Sequence, residues 1–495
     1  MLATILGTSI LGTSILGTSI LGTSILGTSN ASTLRWNGFM SWQVVAWFLV
    51  AGVLLSVMGT VGPLIRRYWL SCSIVYLIVG LAVGPLGLNL IAIDLIERSK
   101  WFEHLTEIAV IVSLYGAGMK MRFPLASGRW RVPVVLASAT MIVTIALTTA
   151  VSHYAIGLPI GFAVLLAAVL APTDPVLAAE VQLEHADDAD HLRLGLTGEA
   201  GLNDGTAFPV VLLGVGLIDA SLHPLGEVWW RWWVIDVVYK IVGGLLLGGL
   251  AGWGLSHAML MIRKRVRAEV GADEMLVLGF IALIYGVALA ADTYAFLAVF
   301  AAAVAMRQVE LRDNDNRSAS QAIDEAEQSE AEHEADAPEH AAALLTRDGL
   351  IVADTMERLV EIALVMLVGV LLSDGRLATP TPWIFAVVMV FVVRPAAVAA
   401  TARLIPLSRF QTSMVAWFGV RGIGTFYYLT HAFELGVKDA STDHCKTLVN
   451  CALATVAVSV ITHGITVTPL MNYYRRICQQ TDTPPNNEPD APGRN

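Results

Sequence analysis

Apolar runs of roughly 17 to 25 residues, each able to cross the ~30 Å hydrocarbon core of a bilayer as a helix, follow one another along this chain and exclude most folds before any motif is weighed. Bounded by charged and turn-forming residues, they fall at 43–62, 72–91, 105–121, 132–151, 157–179, 197–218, 232–256, 273–291, 293–307, 357–374, 383–405, 411–433 and 447–469. No water reaches backbone polar groups in hydrocarbon, so such segments must be helical. The expected fold class is an all-α polytopic membrane protein with about thirteen transmembrane helices. Composition agrees, with 55% hydrophobic and 15% charged residues against about 25% charged in soluble domains. Only Asp292 and Thr293 separate spans eight and nine, which are either a tight hairpin or one bent helix.

The formal net charge of −10 is unevenly placed, since much of the acid lies between Glu310 and Asp354. Residues 307–356 read as a solvated acidic connection between a first membrane part (37–306, spans one to nine) and a second (357–470, spans ten to thirteen), with a short tail at 471–495. Residues 1–36 form a low-complexity segment holding five tandem Ile-Leu-Gly-Thr-Ser copies, whose period of five suits neither helix nor strand. Lys and Arg concentrate after odd-numbered spans, as at Arg66 and Arg67, Arg129 and Arg131, and Arg263 to Arg267. The positive-inside rule then places those connections, the acidic 307–356 stretch and the C-terminus in the cytoplasm, and leaves Trp229, Trp230, Trp232 and Trp233 as an outer aromatic belt. Four cysteines without metal-site or disulfide spacing suggest neither.

A carboxylate at membrane depth is costly and is therefore a functional candidate. Two apolar spans carry them: Ala171-Pro172-Thr173-Asp174-Pro175, and Gly198-Glu199-Ala200-Gly201-Leu202-Asn203-Asp204-Gly205. Pro172 and Pro175 remove backbone donors and disfavour helix in the residue before each, so span five is expected to break around Asp174. Irregular backbone is tolerated at that depth where it lines a cavity or is buried in protein. Burial raises a carboxylate's pKa and a nearby cation lowers it, so one such group can exchange a proton for a cation near neutral pH. Asp204 is the first candidate for that shared group. Thr173 and Asp174 would complete a shell of oxygens, which suits a hard monovalent cation. Asp174 could instead cap a half-helix. On a helix Ala200 and Asp204 share one face, and Glu199 and Asn203 another. Arg394 would be costly if unpaired, and Glu199 is the natural partner. Arg421 is divided between supporting helix ends and gating. Lys240 is expected to snorkel, and His153, His257, His431 and His463 to be structural.

The Pro-Thr-Asp-Pro and Gly-Glu-x-x-Leu-Asn-Asp-Gly motifs, with Arg394-Pro395, the Trp417 to Gly422 segment and Gly80 to Gly87, resemble the NhaP-type sodium/proton antiporters and their eukaryotic exchanger relatives. The resemblance implies two inverted repeats whose broken helices, spans five and twelve, cross at the ion site, and it implies a homodimer. It also implies the Glu199–Arg394 pair and ion binding at Thr173, Asp174, Asn203 and Asp204, with Na+ held by Asp174 and Asp204. Members of the family commonly carry a hydroxyl where this chain has Ala200, so a side-chain ligand is missing. Asn203, where electrogenic relatives carry Asp, implies one-for-one electroneutral exchange. The expectation is a secondary active transporter, not an enzyme, exchanging Na+, or Li+ or K+, for H+ in the plasma membrane (the bacterial inner membrane) for pH and sodium homeostasis. A K+/H+ antiporter, or a channel or cation sensor on the same scaffold, is the alternative. The expected partners are monovalent cations, protons and the lipid bilayer, with no cofactor and no nucleic acid. An intramembrane aspartyl protease is disfavoured, because neither Asp174 nor Asp204 has a Gly-x-Gly-Asp-like context.

Overall fold

The computed structural model describes residues 42–67, 71–178, 181–183, 190–265, 273–313, 341–373 and 377–482. The Ile-Leu-Gly-Thr-Ser repeats, residues 314–340 of the acidic stretch and the tail beyond Asp482 lie outside the described residues. The chain divides into two units after Ala46; apart from the first residues of α1, everything that follows concerns the described residues of the second unit, from Trp47 to Asp482. Among the described residues all regular structure is helical. In order these are α1 (Trp42–Arg67), α2 (Cys72–Val83), α3 (Ser99–Lys120), α4 (Gly128–Ile156), α5 (Ile160–Leu170) and α6 (His191–Ile218). Then follow α7 (232–265), α8 (Asp273–Ala290), α9 (Ala295–Asp313), α10 (Ala341–Leu372), α11 (Pro380–Leu404), α12 (Arg409–Trp417), α13 (Ile423–Ala432) and α14 (Thr442–Asp482). Five of the described helices are long and apolar enough to cross a membrane by length and composition alone, α4, α6, α7, α11 and α14. The molecule is a multi-pass membrane protein.

Spans eight and nine resolve as a tight turn. Asp292 takes a left-handed φ of 51°, its amide and that of Thr293 donate back to Leu289 and Ala288, and α8 packs beside α9. The acidic stretch is shorter than its composition suggests, because α9 runs on to Asp313 and α10 begins at Ala341. The first buries a charge pair, Arg307 with Glu310 at 3.1 Å, and α10 sets half-exposed Asp354 and buried Glu357 against Lys120 at the end of α3, at 3.2 and 3.4 Å. The aromatic belt also differs from expectation. Trp229, Trp230 and Trp233 are exposed, but Trp232 is buried, its indole N–H donating to the Pro209 carbonyl of α6 at 2.6 Å. Lys240 does not snorkel freely; it lies between Asp236 and Asp292 at 3.4 and 3.3 Å.

Helices α5 and α6 form the centre, packed closely on each other and on α13. Both are mostly sealed from the surface, and α5 is buried along nearly its whole length from Gly161 to Leu170. Small residues make this density possible: a Cβ at Gly205 would lie 2.7 Å from Leu297 of α9, and one at Gly214 2.9 Å from Leu165 of α5. In interiors this close-packed, such overlaps cannot be absorbed without moving backbone.

Candidate functional site

Two helices break at the same place. Helix α5 stops at Leu170, and the chain from Ala171 to Asp174 is irregular; α12 stops at Trp417, and the chain is irregular until Ile423. The breaks cross and bond to each other, the Asp174 amide donating to the Val420 carbonyl at 2.9 Å. A broken helix leaves amides free at one end and carbonyls at the other, carrying opposite partial charges. Each break supplies the other's compensation. The Asp174 carboxylate accepts from the amides of Ile423 and of Gly424 (3.4 Å) at the start of α13. The Arg421 guanidinium donates to the Ala171 carbonyl at the end of α5, at 2.6 Å. Asp174 also caps its own turn through the amides of Val176 and Leu177, at 2.9 and 3.0 Å.

Helix α6 lies against this crossing with its motif turned inward. Glu199, Asn203 and Asp204 are each 1% exposed, so none can draw on bulk water for a partner. Glu199 meets Arg394 of α11 in a two-pronged pair at 2.5 and 2.8 Å. A wide π turn (Met389–Val393) precedes Arg394; Pro395, which lacks the N–H that would bond to Phe391, accounts for the looseness of that turn. The Asn203 amide donates to the Thr173 hydroxyl at 2.8 Å, tying α6 to the first break. Two acceptors remain. Asp204 Oδ2 and the Asn203 carbonyl oxygen Oδ1 are buried without a hydrogen-bond partner. A buried acceptor left unpaired costs on the order of 1–3 kcal/mol, more when charged, so this pair of oxygens calls for a proton or a cation.

Thr173, Asp174, Asn203 and Asp204 thus gather at the crossing, with Gly424 between the two carboxylates. Its amide faces Asp174, and a Cβ there would lie 3.3 Å from Asp204 Oδ1. The Glu199–Arg394 pair stands to one side, as a brace between α6 and α11. Arg421 sits at the crossing as a support for helix ends, its amide held by Ser459 of α14 at 2.8 Å. His463 is a satisfied structural histidine, as expected, bonding the Trp417 carbonyl at the end of α12 at 2.9 Å. Two contributors stand out only in the structure. Tyr428 donates its hydroxyl to the Asp204 backbone carbonyl at 2.5 Å. Pro209, inside α6, cannot donate to the Gly205 carbonyl, which frees one more oxygen a residue beyond Asp204. Of these only Pro209 left a signal in the sequence, a proline five residues after the motif aspartate.

Broken helices that cross over buried, compensating charges, inside a multi-pass helical membrane protein, are an architecture found among secondary transporters. The family model "Sodium/hydrogen exchanger, transmembrane" matches residues 50–473. The chain belongs to that family. It is 22% identical over 434 residues to the K(+)/H(+) antiporter NhaP of Alkalimonas amylolytica, covering 86% of this chain and 66% of that protein. It is 27% identical over 188 residues to a probable Na(+)/H(+) antiporter of Schizosaccharomyces pombe, covering 37% of this chain and 24% of that one. The match therefore spans less than two thirds of either curated relative. The fold is that of the sodium proton antiporter MjNhaP1 of Methanocaldococcus jannaschii at pH 8, with a TM-score of 0.63 at 18% identity over 86% of this chain and 98% of the other. An electron-microscopy map of the same antiporter gives a TM-score of 0.60 at 16% identity.

Proposed function

We propose that the protein is a secondary active transporter that exchanges a monovalent cation, Na+ first, for a proton at Asp204. The observation that carries this reading is the pair of unpartnered, buried oxygens on Asp204 and Asn203 beside Asp174, whose own oxygens are already spent on amides. Asp174 is then a fixed part of the frame and Asp204 the group that changes occupant. Water is excluded, so an empty, ionised Asp204 is the expensive state, and the barrier is crossed with cation or proton bound. Competition for one carboxylate is the coupling rule. Asn203 adds no second titratable group, so loading with one Na+ or one proton leaves the same net charge and exchange is electroneutral. K+ is the second reading, supported by the K(+)/H(+) exchange for which the Alkalimonas relative is named and by Ala200, whose methyl offers no oxygen to a small ion. A homodimer in a bacterial inner membrane belongs to the same proposal.

The test is reconstitution in vesicles with an imposed pH gradient, adding Na+, K+ and Li+ separately and reading internal pH. Dissipation of the gradient by Na+, at a rate unchanged when membrane voltage is stepped, is the expected result. Silence with all three ions would sink the reading, and a rate that climbs with voltage would refute one-for-one exchange.

A further inference from the structure

One face of the transport site is closed by aromatic rings that end in a charged contact. One turn beyond Asp204 on α6 stands Phe208, 9% exposed, with its ring edge-on to Tyr428 at 5.2 Å and to Tyr427 at 5.8 Å. Phe296 of α9 packs edge-on to Tyr427 at 4.8 Å. Beside these rings lie His431 at the end of α13 and Glu103 in the first turns of α3, with side chains 25% and 16% exposed. Their contact, His431 Nδ1 to Glu103 Oε1, is 2.7 Å. The imidazole stacks on Tyr427 at 5.7 Å and 14°, and meets Phe208 edge-on at 5.8 Å.

We propose that His431 and Glu103 form a proton-operated latch on this face of the site, holding α13 against α3 over the aromatic seal. The proposal rests on the exchange reading above. Helix α13 reaches from this contact to the site, since its N-terminus holds Asp174 and its Tyr428 holds the carbonyl of Asp204. Histidine is the side chain whose charge changes nearest neutral pH. Neutral, it donates a hydrogen bond from Nδ1 to the Glu103 carboxylate; protonated, it adds to that bond the Coulomb attraction of an ion pair in a partly dry setting. The latch is therefore tight with the proton on His431 and loosens when the proton leaves. Other groups around it are accounted for. Glu107 of α3 bonds Tyr285 of α8 and lies 3.3 Å from the exposed His104. Glu434, one turn on from His431, is held by Ser99 of α3 and by Lys438 at 2.9 Å. Glu103 is the carboxylate in hydrogen-bond contact with His431.

The latch and the shared site respond to acid differently, which makes the proposal separable. Protons competing at Asp204 raise the cation concentration needed and are outrun at saturating cation, whereas a latch slows the maximal rate. The experiment uses the full chain in vesicles of uniform orientation, with saturating Na+ and pH varied on the Glu103 face only. The wild type should lose up to about fivefold in maximal rate between pH 8 and pH 6, the worth of a partly exposed ion pair; Glu103→Gln and His431→Gln should flatten that dependence, and the exchanged pair Glu103→His with His431→Glu should restore it. Equal acid dependence in the wild type and both single variants, or none in the wild type, overturns the latch while leaving exchange standing. No Na+-driven proton movement in the wild type would instead overturn the exchange reading. Hydrogen exchange on the wild type needs no variant. Amides of 427–434, corrected for intrinsic chemistry, should be better protected at pH 6 than at pH 8, and equal protection counts against the latch.

Discussion

At the scale of single residues, charge placement inside the membrane is settled by partners rather than by depth. Glu199 and Arg394 are both buried and meet through two bonds, so neither charge needs water; remove one and the other is stranded. Glu199→Gln or Arg394→Gln alone should cost on the order of 3–5 kcal/mol of stability. The double variant should cost much less than the sum. Thermal or denaturant unfolding in detergent checks this with a double-mutant cycle, and simple additivity would mean the two side chains do not act as a pair. This pair was legible in the sequence because an arginine at that depth demands a carboxylate. Tyr428 and Ser459 were not. Each acts through an ordinary hydroxyl on another helix, and nothing in local composition says which backbone group it will reach.

At the scale of elements, two helix breaks compensate each other. The first was written plainly, in Pro172 and Pro175 around Asp174. The second, between Trp417 and Ile423, contains no proline, and its position came only from a resemblance. It is held open by close approach. A Cβ at Gly422 would lie 2.5 Å from both Asp174 Oδ2 and Leu177 Cδ1, and one at Gly419 2.6 Å from Arg394 Nε. The Asp174 carboxylate is pinned by amides on both oxygens, so it cannot swing away. Gly422→Ala should therefore destabilise the fold by about 1–3 kcal/mol and cut exchange far more than an alanine at Gly249, where a Cβ meets nothing within 4 Å. Equal behaviour of the two variants in melting and in vesicle exchange would show that the crossing has slack. The extensions of α9 and α10 were hidden for a different reason, since acidic composition marks solvent exposure and says nothing about buried pairs such as Arg307 with Glu310.

At the scale of the whole molecule, the membrane-spanning body could be outlined from hydrophobic length alone, because hydrocarbon leaves the backbone no alternative to helix. Which helices touch could not, since lipid-facing and buried helices are equally apolar; α5 and α7 illustrate this, one sealed and the other widely exposed. What the assembled fold adds is Asp204, a dry carboxylate at the crossing with an oxygen that has no hydrogen-bond partner, which in the proposed function cation and proton share. The direct measurement is the apparent KM for Na+ in vesicles as pH is lowered in steps on the cation side, wild type beside Asp204→Asn. With one shared site, mass action predicts that KM rises about tenfold for each pH unit on the acid limb, the cation's limiting on-site affinity staying constant, and that the Asn variant, folded and inserted, exchanges nothing. A KM that ignores pH while the rate falls, or an Asp204→Asn variant that still exchanges Na+ for protons, would contradict it.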